Sequence, residues 1–293
     1  MKFITFIIED DEKIGIISKD GNKVIDINEI LEEDFYDMIE FIWENEKYID
    51  ELVKVYEKGE ISHYDFADVL IVAPIPRPVK DVLCVGLNYS DHIKESQSVQ
   101  DPNKKIDDPV FFTKRVINAI GPNEIIQKHD GITKEIDYES ELGVVVGKEA
   151  INLSEDNAEE YIFGYTIVND ISARDLQRKH NQWFKGKGLD SHTSIGPCIV
   201  YKKYMSLPIE LNISSKVNGE VRQNSNTRNL IFSIPFLMKE LSKGMTLVPG
   251  DIIATGTPAG VGIGFKPPKL LKSGDIIECE IENIGILRNQ LED

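Results

Sequence analysis

Ile136-Asp137-Tyr138-Glu139-Ser140-Glu141-Leu142-Gly143-Val144-Val145-Val146-Gly147 is an apolar run headed by three acids. Side chains on a strand alternate faces, so Ile136, Tyr138, Leu142, Val144 and Val146 point one way and Asp137, Glu139, Glu141 and Val145 the other. The two glutamates then share a face with their Cα atoms roughly 6.5 to 7 Å apart. That is close enough to converge on one cation, or to repel if nothing lies between them. Taken alone, the stretch reads equally well as a half-exposed edge strand with a solvated acidic face. A second run, Tyr161-Ile162-Phe163-Gly164-Tyr165-Thr166-Ile167-Val168-Asn169-Asp170, is apolar almost to its end. A lone acid at the mouth of a buried strand calls for a partner. Three carboxylates on rigid strands, with no Cys or His cluster beside them, predict a site for a hard cation: magnesium, or else manganese, with calcium a further occupant in a crystal. Magnesium usually keeps several waters, which leaves room for a chelating substrate oxygen.

The chain has 293 residues, enough for one large domain with an appendage or for two domains. A formal net charge of -17 argues against a nucleic-acid partner, since phosphate binding needs basic patches. An anionic substrate would therefore need local cations. Cys84, Cys198 and Cys279 are odd in number and widely spaced, which speaks against a disulfide framework and fits a reducing cytoplasm. The amino end turns acidic at Glu9 to Glu12, too early for a secretory signal, and no apolar run is long enough to span a bilayer.

Residues 1–72 read as a small α/β unit. Strands over Phe3–Ile8, Ile14–Ser18 and Lys23–Ile27 precede a helical pattern from Phe35 to Tyr56, with Gly59 as its stop. His63 in this unit is a lone histidine, read as structural. Residues 73–78, with Pro74, Pro76 and Pro78, form a stiff connector, and residues 79–293 form the second unit. There Val82–Gly86 is a buried strand, and Ser90 or Asp91 starts a short helix that sets His92 and Glu95 on one face. Residues 96–108 are polar, with the composition of a lid or of an ordinary loop. Gly186-Lys187-Gly188 reads on its own as a surface turn, although its glycines would let Lys187 approach a ligand. Gly196-Pro197 closes that loop, Asn218-Gly219 turns a hairpin, a helix covers Ile234 to Leu241, and a strand opens into the Gly-rich loop Thr255 to Gly262. That loop lacks the Gly-Lys-Ser/Thr ending of a phosphate loop. Ile276–Ile281 and Ile284–Arg288 finish the chain as strands.

Four motifs together, Gly86-Leu87-Asn88-Tyr89-Ser90-Asp91-His92, Asp137 to Leu142, Asn169 to Gln177 and Thr255 to Gly262, resemble the fumarylacetoacetate hydrolase family in the right order from about Val79 to the carboxyl end. The resemblance implies an α+β, β-rich fold: a mixed β-sandwich roll as catalytic domain, generally dimeric, behind a small N-terminal α/β domain. That small domain is similar to the one in the family's bacterial diene-dioate isomerases and oxo-acid decarboxylases. The resemblance also implies Glu139, Glu141 and Asp170 as ligands of magnesium or manganese, and His92 with Glu95 as a water-activating pair. It sets Lys187 beside the substrate and Arg174, Gln177 and Thr257 along its pocket. The chain departs from the family pattern after Lys187, where Gly188 and Leu189 precede Asp190 and Ser191-His192-Thr193 follows. These changes bear on substrate identity and leave His192 either aimed at the pocket or facing solvent.

Such residues suit a small anionic 2-oxo or 1,3-dicarbonyl acid, whose adjacent oxygens chelate a cation that stabilises the enolate. Carbon–carbon hydrolysis of an acylpyruvate comes first, with Glu95 orienting His92 to take a proton from water. Oxaloacetate decarboxylation or tautomerisation, and 2-hydroxyhepta-2,4-diene-1,7-dioate isomerisation, are the alternatives in which the same pair only gates or shuttles protons. A non-catalytic metal-binding module would explain the three carboxylates but not the His92–Glu95 pair or Lys187. A glycosidase using Glu139 and Glu141 as its acid pair ranks lower still, because same-face neighbours on one strand cannot flank a scissile bond from opposite sides.

Overall fold

Antiparallel pairing of Ser140–Val146 with Ile162–Asp170 forms the centre of the protein in this computed structural model, which describes residues 1–59, 61–97 and 107–293. Both strands are buried along their whole length, so the acidic stretch lies at the middle of a sheet and not on its edge. It is also not one strand. Ile136–Asp137 leaves the large sheet to pair with Ser172–Ala173, and Ser140–Val146 resumes after a break at Tyr138 and Glu139.

Among the described residues the large sheet has 11 strands. Its order is Tyr64–Asp65, Lys23–Asp26, Asp11–Ile17, Lys2–Ile8, Thr193–Tyr201, Ile162–Asp170, Ser140–Val146, Ile252–Ala254, Val82–Gly86 and Val110–Lys114, with Leu70–Ile71 also on Lys2–Ile8. The amino-terminal strands thus continue the sheet that carries the acids, through the pairing of Lys2 and Phe3 with Val200 and Ile199. Ile252–Ala254 runs parallel to Val82–Gly86 while the neighbouring pairs are antiparallel, which makes the sheet mixed. A second sheet of five strands, from the Asn212–Val217 and Glu220–Asn226 hairpin to Ile125–Ile126, covers one face.

Alternation along Ser140–Val146 divides the core. Leu142, Val144 and Val146 pack with Ile213, Ile277, Ile281 and Leu287 between the two sheets. Val145 joins the opposite layer with Phe41, Ile42 and Leu52. Those three belong to the helix Met38–Lys58, whose buried positions recur at helical spacing. Its start is set by Asp37, whose carboxylate accepts from the Ile39 and Glu40 N–H groups at 2.9 and 3.0 Å. Its end is set by Gly59 at φ 68°, a conformation that costs glycine nothing. Asn45 on the buried face donates to the Gly147 carbonyl at 3.1 Å, tying the helix to the end of the acid-bearing strand.

Two expectations are corrected. Gly196-Pro197 does not close a loop but lies inside the strand Thr193–Tyr201. Between the pairs Tyr165–Val200 and Ile167–Gly196 the register shifts, so that Pro197 to Ile199 stand opposite the single Thr166, and this bulge accommodates a proline without an N–H in a central strand. The edge strand Val110–Lys114 had no counterpart in the sequence reading. His63 is structural, as expected, its Nδ1 accepting from the Asp26 N–H at 2.9 Å. All three cysteines are buried and free. Among the described residues no helix is long and apolar enough to cross a membrane. Of the stretch 96–108, residues 98–106 lie outside the described residues.

Replacing Asp37 with Ala should lower global stability by about 1 kcal/mol, the usual worth of an N-cap, read as an earlier urea midpoint with unchanged slope. An unshifted midpoint would mean that packing of the helix, not its cap, holds its first turn.

Candidate active site

The register of the two central strands sets Asp170 beside Glu139: the Asp170 N–H donates to the Glu139 carbonyl at 2.9 Å, and Asn169 Oδ1 accepts from the Glu139 N–H at 3.1 Å. One carboxylate oxygen each from Glu139, Glu141 and Asp170 then lies within 4.8 Å of the others, all three residues buried. Among the described residues this is the single such gathering of acids, histidines or cysteines.

Buried like charges need partners, and three cations supply them. Lys187 Nζ bonds Glu139 at 2.8 Å and Asp170 at 2.6 Å. Lys114 Nζ bonds Asp170 Oδ1 at 2.6 Å and the Ile171 carbonyl at 2.9 Å. Arg174 reaches Glu139 at 2.7 Å and, through Nε, Asp137 at 2.9 Å. Four carboxylates thus face three cations. Glu141 is the acid without one, accepting only the Gly256 N–H at 2.8 Å among its side-chain bonds to described residues.

Proton affinities follow this distribution. Burial opposes ionisation of Glu139, but Lys187 and Arg174 outweigh it and hold the carboxyl below the usual range. Burial, reinforced by Asp170 and Glu139, pushes Glu141 well above that range. Burial pulls Lys114 below an ordinary lysine, and Asp170 offsets only part of it. Lys187 is buried too, yet Asp170 and Glu139 together hold it above the ordinary value. The two lysines share Asp170 and shift in opposite directions because Lys187 faces a second carboxylate.

A pocket of about 360 Å³ opens over this floor, lined by His92, Glu95, Arg174, Gln177, Lys187 and Thr257 together with Glu139, Glu141 and an apolar wall that includes Phe112 and Trp183. The expected site residues therefore come together, with Asp170 beneath the floor. His92 and Glu95 lie on the helix Ser90–Gln97 with Nδ1 and Oε2 3.3 Å apart. Gln177 Oε1 accepts from Arg174 at 3.0 Å. The Thr257 hydroxyl donates to the Ser140 carbonyl at 2.9 Å and accepts from Gln223 at 2.6 Å, so its proton is committed within the protein. Arg174 lines the pocket, and its Nη2 is buried without a protein partner among the described residues.

Gly186-Lys187-Gly188 is not a surface turn. The helix Phe184–Lys187 ends there with the Lys187 side chain 2% exposed. His192 neither reaches the pocket nor faces solvent; it is buried, with Nε2 3.1 Å from the Gln127 carbonyl and its ring edge-on to His129. Burial holds it neutral, with its pKa lowered to about 3. Two participants were missed. Lys114 ends an apolar strand as Asp170 does, the same signal on a stretch not read as a strand. Asp137 stands in the opening motif, and its role appears only when its oxygens meet the Gly262 and Ile263 N–H groups at 2.7 and 3.0 Å as well as Arg174.

The donor set fits a hard divalent ion: three buried carboxylates, one of them lacking a cation, with oxygen atoms close enough to share one.

Comparison with known proteins agrees with this geometry. The family described as fumarylacetoacetate (FAA) hydrolase C-terminal matches residues 81–292. The chain is 43% identical to oxaloacetate tautomerase YisK of Bacillus subtilis, over 99% of this chain and 96% of that protein. It is 37% identical to the mitochondrial oxaloacetate tautomerase fahd2 of Xenopus laevis, over 94% and 85%. Among solved structures, a fumarylacetoacetate hydrolase from Exiguobacterium antarcticum superposes with a TM-score of 0.81 at 36% identity, covering 100% of this chain and 99% of that one.

Burial of Glu141 makes the stability of the ion-free protein depend on pH. A carboxyl whose folded pKa lies above its unfolded one contributes stability below the unfolded value, about 4.3, and loses it as pH rises through the folded value. Ion-free Glu141→Gln should therefore be at least as stable as the ion-free wild type at pH 7. Magnesium at 100 times its Kd should stabilise the wild type alone, by about 2.7 kcal/mol. Calorimetry should find saturable magnesium binding in the wild type and none in the variant; a variant that still binds would remove Glu141 from the site.

Proposed function

The chain belongs to the fumarylacetoacetate hydrolase family of enzymes, and from that premise we propose that it catalyses enol–keto exchange of a small 2-oxo dicarboxylic acid of the oxaloacetate type, with magnesium or manganese as cofactor. The observation that carries this proposal is the convergence on one pocket of the acidic floor, the Lys187 and Arg174 cations and the His92–Glu95 pair. Two relatives named oxaloacetate tautomerase, aligned over nearly the whole chain, favour exchange over the acylpyruvate hydrolysis that comes first from the sequence alone.

Glu139, Glu141 and Asp170 are the residues that would hold the cation, which when bound supplies positive charge beside the oxygens of a 2-oxo acid. Lys187, pinned by two carboxylates, acts as a fixed cation that draws the anionic substrate onto the floor. Arg174, whose buried Nη2 has no protein partner among the described residues, offers a second donor, and Gln177 keeps the guanidinium oriented. Exchange needs one proton to leave and one to arrive at neighbouring substrate atoms. His92 is the group suited to carry them, because with Glu95 accepting from Nδ1 its Nε2 is left as the proton acceptor. The apolar wall of Phe112 and Trp183 limits bulk water beside the reacting carbon.

Hydrolysis of an acylpyruvate is the second reading, favoured by the same pair, which could activate a water. Decay of enol absorbance in oxaloacetate should be accelerated by the magnesium-loaded protein and not after chelation. Lys187→Ala and His92→Ala should each lower that rate about 100-fold. Cleavage of acylpyruvates without acceleration of exchange would make the chain a hydrolase, and no metal-dependent turnover on oxaloacetate, acylpyruvates or diene-dioates would return it to a binding module. The family's homodimer belongs to this proposal on resemblance alone, and light scattering should give the mass of two chains at micromolar concentration.

A further inference from the structure

The carboxylate of Glu95 does more than face His92. Its two oxygens lie 3.1 and 3.2 Å from the backbone nitrogen of Gly260, 165 residues away in sequence. A Cβ built on Gly264 would sit 1.9 Å from Glu95 Oε1 and 2.1 Å from its Cδ, and the three nearest heavy atoms to that point all belong to Glu95. Gly264 has ordinary backbone torsions, so its missing side chain answers to no turn geometry; it answers to the acid lodged beside it. Gly260 is different, with φ +104° and a Cβ position 2.0 Å from the Arg222 carbonyl, so it is needed by the backbone itself.

We propose that Gly260 and Gly264 form a socket for Glu95, and that this socket positions His92 over the acidic floor. The socket shares its foundation with the floor. Asp137 accepts from Gly262 and Ile263 on the loop and from Arg174, which in turn holds Glu139, while the hydroxyl of Tyr138 donates to the Gly260 carbonyl at 2.9 Å. The Ser90–Gln97 helix is thereby indexed to the same stretch, Asp137 to Glu141, that carries two of the three clustered acids. Gly264 is a positioning residue: it stands at the pocket wall, and its lack of a Cβ lets Glu95 stay where it fixes the His92 tautomer. This inference rests on the proposal that His92 moves protons, but its structural half can be read without turnover.

Gly264→Ala is the decisive variant, because an alanine meets only the end of a flexible side chain at a backbone position open to any residue. It should fold with an unchanged thermal midpoint and unchanged magnesium affinity. In protein carrying ¹⁵N-histidine, which has five histidines in all, the ring nitrogens of His92 report the tautomer, with His92→Gln giving the assignment. The wild type should show Nδ1 protonated; Gly264→Ala and Glu95→Ala should both lose that signature. The kcat for enol–keto exchange should fall about 10- to 100-fold in Gly264→Ala. Adding Gly264→Ala to Glu95→Ala should cost nothing further, since the cavity left by Glu95 accepts the methyl. A wild-type tautomer in Gly264→Ala, or a loss that adds to that of Glu95→Ala, overturns the socket. Absence of exchange in the wild type with the tautomer change intact overturns only the reaction and leaves the socket standing.

Discussion

Everything around the pocket depends on keeping Glu139, Glu141 and Asp170 ionised or poised in a protein interior. Desolvating a carboxylate costs several kcal/mol that only close, hydrogen-bonded partners recover. Lys114, Lys187 and Arg174 supply them at 2.6 to 2.9 Å and are themselves buried, so neither set of charges could be kept inside without the other. The compensation is incomplete by one charge, and Glu141 carries the deficit. An interior with one carboxylate too many is a poor solution for stability alone and a good one for a protein that takes up a cation.

The secondary structure serves that arrangement. Antiparallel registry brings the ends of two central strands side by side, and both chains then leave the large sheet for the small pairing of Ile136–Asp137 with Ser172–Ala173. That exit opens the floor upward and sends Arg174 back across it at the head of the next helix. The Gly-rich loop crosses from the other side. Its backbone N–H groups serve Glu141, Asp137 and Glu95 in turn, through Gly256, Gly262 with Ile263, and Gly260. Backbone donors held on a loop whose glycines leave no room for side chains reorganise little as charge develops nearby, which is the condition for electrostatic stabilisation in a site of this kind. Rigidity here comes from crossed hydrogen bonds between distant segments and not from any single element.

Much of the chain was legible because its signals are local. The amino-terminal strands, the helix ended by Gly59, the Asn218-Gly219 hairpin and the last two strands follow from periodicity and turn chemistry over windows of a few residues. The acids of the floor were legible because two apolar strands each delivered carboxylates at one end. His92 and Glu95 followed from helical spacing.

What the sequence by itself determined, then, was many of the elements and the sign and chemistry of the floor, since those depend on neighbours within a turn or a pleat. Tertiary structure alone decided the rest, because it depends on which strands pair at long range. Lys187 became a buried cation and not a turn residue when its helix packed against the Ser172–Ala173 strand. Lys114 entered the site only through the pairing of its strand with Val82–Gly86, which no local signal announces. His192 turned inward to Gln127, 65 residues away in sequence. Gly264 met Glu95 only because loop and helix close over one pocket. Contacts between residues from tens to more than a hundred positions apart carry no local periodicity, and it is these contacts that turn a row of acids into a site.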